Sequence, residues 1–163
     1  MIKLKGVSMK KIFACVLATL LLTGCIGGPQ VVSCEQVQEE NGFRLVMKNE
    51  TTIKNRRAYS DKVVMTAEAK PGAPATFLEE YGKGIDQAFA NLAQATGITY
   101  SSKIEGNKHI LTVKVMYDQL VESEIAKFNA SEKDMLRDRN TKNVSAQATK
   151  ENLEAQGFTC QIK

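Results

Sequence analysis

The sequence predicts an α+β domain: an antiparallel sheet of two hairpins plus edge strands. One face is expected to be covered by a long central helix and shorter C-terminal helices. Three observations predict it. Two alternating stretches are punctuated by the tight-turn dipeptides Asn41-Gly42 and Gly106-Asn107. Between them, apolar residues recur at helical spacing from Phe77 to Leu92. Shorter helical stretches and a last strand follow. Strand runs separated by helical runs favour α+β over parallel α/β.

The chain opens with Lys3, Lys5, Lys10 and Lys11, then an apolar run from Ile12 to Leu22 interrupted by Thr19. A basic start, a short apolar run and a small-residue site define a secretory signal. The run is shorter than the ~20 apolar residues that span a bilayer. Met9 is an alternative start. Leu22-Thr23-Gly24-Cys25 resembles the lipobox of bacterial lipoproteins. That resemblance implies a diacylglycerol thioether on Cys25 and cleavage before it. The competing reading is an ordinary secretory signal with Cys25 following Gly24 by chance. The expected division is residues 1–24 as leader, 25–33 as lipidated tether and 34–163 as one domain. Its location is then the bacterial membrane, facing away from the cytoplasm.

Cleavage changes the charge argument. The whole chain carries 22 Lys+Arg and 18 Asp+Glu. All four charged leader residues are lysines, so the remainder holds 18 of each sign. A nucleic-acid footprint needs a basic domain, so no nucleic-acid partner is expected. The 139 residues after Gly24 suit a single domain with a real core. Of four cysteines, Cys15 leaves with the leader and Cys25 takes the lipid. Cys34 and Cys160 remain. An exported compartment permits a disulfide between them, and a pair of buried free thiols is the alternative. There is one histidine and no C-x-x-C. No metal cluster and no cofactor is expected.

Cys34 to Asn49 reads as the first hairpin. The Asn41-Gly42 turn pairs Glu39 with Arg44 and Glu35 with Lys48 on one face, favourable cross-strand neighbours. Cys34, Phe43, Leu45 and Met47 share the other face, assigned to the core. The chain is expected to turn again at Glu50-Thr51-Thr52. A third strand then runs from Asn55 to Ala69, with Val63, Met65, Ala67 and Ala69 on one face.

Lys70-Pro71-Gly72-Ala73-Pro74 is a breaker. Thr76 and Glu79 match a capping box for the principal helix. Its apolar face holds Phe77, Tyr81, Ile85, Ala88, Phe89 and Leu92, and Gly97 suits its stop. Gly82 and Gly84 inside it read as close-packing positions or weak points. In the second hairpin Ile98, Tyr100 and Ser102 face Val115, Val113 and Leu111. Val121, Ile125 and Phe128 give a short amphipathic helix. Ser131 with Asp134 suggests a further capped turn, and Arg137 to Lys142 a polar loop. Ser145 caps a last helix that stops at Gly157, before a strand from Phe158 to Ile162.

This order, with the lipobox and the ending Leu153-Glu154-Ala155-Gln156-Gly157-Phe158, resembles the small YehR-like lipoproteins. The resemblance implies an anchored α+β domain and brings no catalytic residues.

Candidate chemistry is sparse, and no catalytic residue is assigned. His109 reads as a surface residue at a hairpin end, with no marked Ser or Cys partner for a nucleophilic pair. Glu79-Glu80 sit where negative charge complements a helix N-terminus. Lys54, Arg56, Arg57 and Lys62 form the strongest basic run. It suits an anionic ligand or a lipid surface, or simply a solvated strand edge. The expected function is a lipid-anchored envelope module that binds an unidentified envelope protein or ligand without chemistry. The alternatives are an envelope hydrolase with a carboxylate site the sequence does not mark, and an inhibitory or structural envelope protein.

Overall fold

The computed structural model describes residues 28–40, 42–137 and 143–163. The leader, Cys25, the start of the tether, Asn41 and residues 138–142 lie outside the described residues. The described residues form a six-stranded antiparallel sheet and four α-helices. The strands are β1 (Gln30–Glu40), β2 (Phe43–Lys54), β3 (Arg57–Ala69), β4 (Ile98–Glu105), β5 (Lys108–Met116) and β6 (Thr159–Ile162). Their order across the sheet is β4-β5-β3-β2-β1-β6.

The first hairpin has the register that its charges suggest. Glu39 faces Arg44 and Glu35 faces Lys48, with ion pairs of 3.5 and 3.3 Å. Gly42 has φ +97°, as the tight turn requires. The strands are longer than Cys34–Asn49, however. β1 starts at Gln30, inside the stretch read as tether, and β2 runs straight through Glu50-Thr51-Thr52. Thr51 is fully buried and Glu50 faces Lys62, so this polar stretch is a two-faced strand. The turn falls at Asn55-Arg56, with φ +52° and +58°. Two successive positive φ values are the signature of a type I′ hairpin turn. A bulge at Thr52/Ile53 precedes it.

Helix α1 (Phe77–Ala88) begins after Thr76, but Thr76 makes no side-chain cap bond and itself has helical φ and ψ. The expected capping box is therefore absent here. The helix also stops early, at Phe89, and a 3₁₀ turn (Leu92–Gln94) follows. Gly97, at φ +81°, serves the entry to β4 instead of the helix stop. A Cβ there would lie 2.9 Å from the Gln119 carbonyl carbon. The second hairpin has the expected register throughout, from Ile98↔Val115 to Glu105↔Lys108.

After β5, helix α2 is only Glu122–Ile125. Helix α3 (Ala130–Asp134) is capped by Asn129, not by Ser131. Asn129 Oδ1 accepts from the Glu132 amide while the Glu132 carboxylate accepts from the Asn129 amide, at 2.9 Å each. Helix α4 (Ala146–Ala155) is capped by Ser145, whose hydroxyl accepts from Ala148 N. Gly157, at φ +90°, turns the chain towards β6.

Two apolar clusters hold these parts together. The larger joins Phe89 and Leu92 to Leu111, Val113, Val115, Tyr117, Leu120 and Phe128. The smaller joins Val32, Cys34 and Ile53 to Ala146, with Val144, Leu153 and Phe158 packed around it. Cys34 and Cys160 face each other across β1 and β6 and form a disulfide. It spans a sequence separation of 126 residues. Closing so long a loop stabilises by about 5 kcal/mol in the chain-entropy model.

Candidate functional site

The β2–β3 turn, the end of β5 and the start of α4 surround a cleft of about 790 Å³. The turn contributes Lys54, Arg57 and Tyr59. The Lys54 ammonium stands 5.5 Å from the Tyr59 ring centroid, a cation–π contact. Asn143 and Asn152 add amides from the opposite wall. The Val144 amide donates to the Arg56 carbonyl at 2.9 Å, which ties that wall to the turn. Asp118 is the one acidic lining residue among the described residues.

Beneath the cleft lies a buried polar network. Asp61 is placed on β3 beside Thr51 of β2 and Val115 of β5. Its Oδ2 accepts from the Tyr117 hydroxyl at 2.6 Å and from Arg137 Nε at 2.8 Å. Arg137 Nη2 donates to Thr51 Oγ1 at 2.9 Å, and the Arg137 amide to the Tyr117 oxygen at 2.9 Å. Asp61 is 4 % exposed, so its charge depends on this partner. Burial, aided by the neighbouring Asp61 charge, pushes the Tyr117 hydroxyl far above its usual range. Tyr117 is therefore a neutral donor that fixes the carboxylate. Arg137 is thus held within the fold and not in the polar loop expected to begin there.

The basic run is divided by the fold. Lys54 and Arg57 line the cleft. Arg56 sits in the turn itself, exposed. Lys62 lies further along β3, on the charged face of the sheet, between Glu50 and Lys114. The disulfide cysteines stand outside the cleft lining, and Cys25 lies outside the described residues.

His109, expected at the surface, is only 2 % exposed. Its face was readable: it alternates with Leu111, Val113 and Val115, all buried. The ring packs edge-on to Tyr81 with centroids 5.5 Å apart. Gly82 passes directly over it, and a Cβ there would stand 3.0 Å from two ring atoms. A serine partner also exists, since Ser102 Oγ and His109 Nε2 are 2.9 Å apart. Burial lowers the imidazole pKa, and the Asp86 charge opposes the effect only in part. Nδ1 is buried and has no hydrogen-bond partner among the described residues. The ring is packed between α1 and the second hairpin. Glu79 and Glu80 are exposed in the first turn of α1. No group of three or more His, Cys, Asp or Glu among the described residues is arranged to hold a metal.

No family model and no curated protein matches the chain. A similar solved structure is an NMR structure of a protein from Streptococcus pneumoniae TIGR4. It is 13 % identical with a TM-score of 0.51, over 81 % of this chain and 85 % of that one. At that identity the likeness shows the fold alone.

Proposed function

We propose that this chain is an exported, lipid-anchored envelope protein, YehR-like in its motif order, that binds an anionic ligand in the cleft and performs no chemistry. One observation carries the compartment: the bridge between Cys34 and Cys160. Disulfides persist where the surroundings are oxidising. That agrees with the leader and with Cys25 as the lipid attachment site. The cleft supplies the rest. Lys54 and Arg57 outnumber Asp118 among its charged lining residues once Arg137 is matched to Asp61. Tyr59 and two amides offer ring stacking and hydrogen bonds beside those cations. In this reading the helices cover one face of the sheet, and the charged face stays in water. Inorganic pyrophosphate is a suitable probe anion. Calorimetry should detect its binding to the intact protein, weakened at least tenfold in Lys54→Ala/Arg57→Ala. Equal binding by both proteins removes the cleft from the account.

The second reading is an envelope hydrolase, and the Ser102–His109 contact is its one specific support. It requires ester hydrolysis that disappears in Ser102→Ala. The binding reading requires any such activity to survive that change.

A further inference from the structure

The start of β1 and the β2–β3 turn lie at the same end of the sheet. Gln30 faces Ile53, so the chain enters the domain beside Lys54. Cys25 is five residues ahead of Gln30. Five residues reach at most ~18 Å fully extended. An acyl chain on Cys25 therefore holds this end of the sheet close to the bilayer surface. The opposite end is nine ladder steps away, from Gln30/Ile53 to Glu39/Arg44. At ~3.4 Å per step that is roughly 30 Å, several times the ~8 Å screening length of physiological salt.

The two ends differ in charge. At the far end Glu39, Arg44, Glu68, Lys108 and Glu105 follow one another across five strands with alternating sign. Arg44 pairs with Glu39 and Lys108 with Glu68 within the row, and Glu105 pairs with the neighbouring Lys103. At the tethered end Lys54, Arg56 and Arg57 are consecutive cations around one turn, all exposed, with no acid in residues 53–60. Tyr59, 36 % exposed, stands among them. Tyrosine beside basic residues is the side-chain pairing found at membrane–water interfaces. Ile162, 38 % exposed, faces Val32 near the same end.

We infer that the tethered end of the sheet is a membrane-docking surface, and that the anionic group reaching Lys54 and Arg57 is a phospholipid headgroup of the bilayer that holds the anchor. This rests on the anchor and cleft reading above and names its ligand. Each cation near an anionic surface raises occupancy roughly fivefold, so three give on the order of a hundredfold.

The chain contains no tryptophan, so one can be placed as a reporter. The acylated protein carrying Tyr59→Trp is reconstituted in vesicles of phosphatidylcholine, with or without phosphatidylglycerol, each containing a headgroup spin-labelled quencher. A second protein carries Ile104→Trp at the far end, where Ile104 is 47 % exposed. Quenching at residue 59 should rise when phosphatidylglycerol is present and fall back in Lys54→Gln/Arg56→Gln/Arg57→Gln. Quenching at residue 104 should stay low in both. Equal quenching at the two ends, or no response to phosphatidylglycerol, overturns the docking surface. Retention on pure phosphatidylcholine vesicles reports the anchor separately, and its loss overturns anchor and docking together. If the triple variant still docks but no longer binds inorganic pyrophosphate, the cleft takes a soluble anion and the membrane assignment falls.

Discussion

Glu132→Ala should unfold about 3 kcal/mol more easily than the parent protein. The carboxylate is fully buried. It accepts from Asn91 N at 2.7 Å, Asn91 Nδ2 at 2.9 Å, Leu92 N at 3.2 Å and Asn129 N at 2.9 Å. These bonds tie the 3₁₀ turn to α3, elements 40 residues apart. Asn91 and Asn129 are exposed, so water can replace the lost acceptor there. Leu92 is fully buried, and its orphaned amide costs ~1–3 kcal/mol. Loss of the Asn129 amide bond to the carboxylate adds ~1 kcal/mol, the net value once water takes its place. The sum is about 3 kcal/mol, a fall of roughly 10 °C in Tm for a domain of this size.

The pH dependence has a definite sign. Burial is the largest influence on the Glu132 carboxyl and favours its neutral form, but the bonds from Asn91, Asn129 and Leu92 together prevail and lower its pKa below the ordinary 4.5. A depressed carboxylate stabilises the fold above its unfolded pKa and loses that contribution as pH falls through the folded value. Urea unfolding of the oxidised protein should therefore show a constant gap between parent and Glu132→Gln near neutral pH, narrowing below pH 4.5. A Glu132→Ala loss under 1 kcal/mol, or a gap that widens in acid, refutes this role for the carboxylate.

Other perturbations test the remaining parts. Arg137→Ala strands the Asp61 charge and should cost about 3–5 kcal/mol; Asp61→Asn/Arg137→Ala should recover part of it in the same denaturant titration. Gly82→Ala drives a methyl into the His109 ring and should destabilise by ~1–2 kcal/mol despite alanine's better helix propensity. Gly84→Ala meets nothing within 4 Å and should stabilise by ~0.5–1 kcal/mol; differential scanning calorimetry separates the pair. Cys160→Ser should lower stability by about 5 kcal/mol, read as a shifted urea midpoint.

The features legible in the sequence are those with local signals. Opposite charges and a tight-turn dipeptide set the first register, and Gly106-Asn107 set the second. Ser145 stood at the start of a helical run, and two leftover cysteines pointed to each other. The misreadings have physical causes. Glu50-Thr51-Thr52 looked like a turn because it is polar, yet threonine fits strands, and Thr51 is buried through its bonds to Asn49 and Arg137. Asn129 and Glu132 carry the capping pattern as openly as Ser131 and Asp134 do, and the bonds that Asn91 and Leu92 donate to Glu132, from 41 and 40 residues away, favour the first pair. Asp61 and Arg137 are 76 residues apart, and no local pattern joins them. The basic run looked continuous from 54 to 62, but the bulge and the strand direction carry Lys62 away from the turn.

Mass spectrometry of the amino-terminal peptide, from protein extracted with bacterial membranes, decides whether the chain is lipid-anchored. A lipid-anchored chain yields a peptide that begins at Cys25 and carries a diacylglycerol mass on its sulfur. A chain that retains residues 1–24, with Cys25 as an unmodified thiol in the soluble fraction, contradicts the anchor.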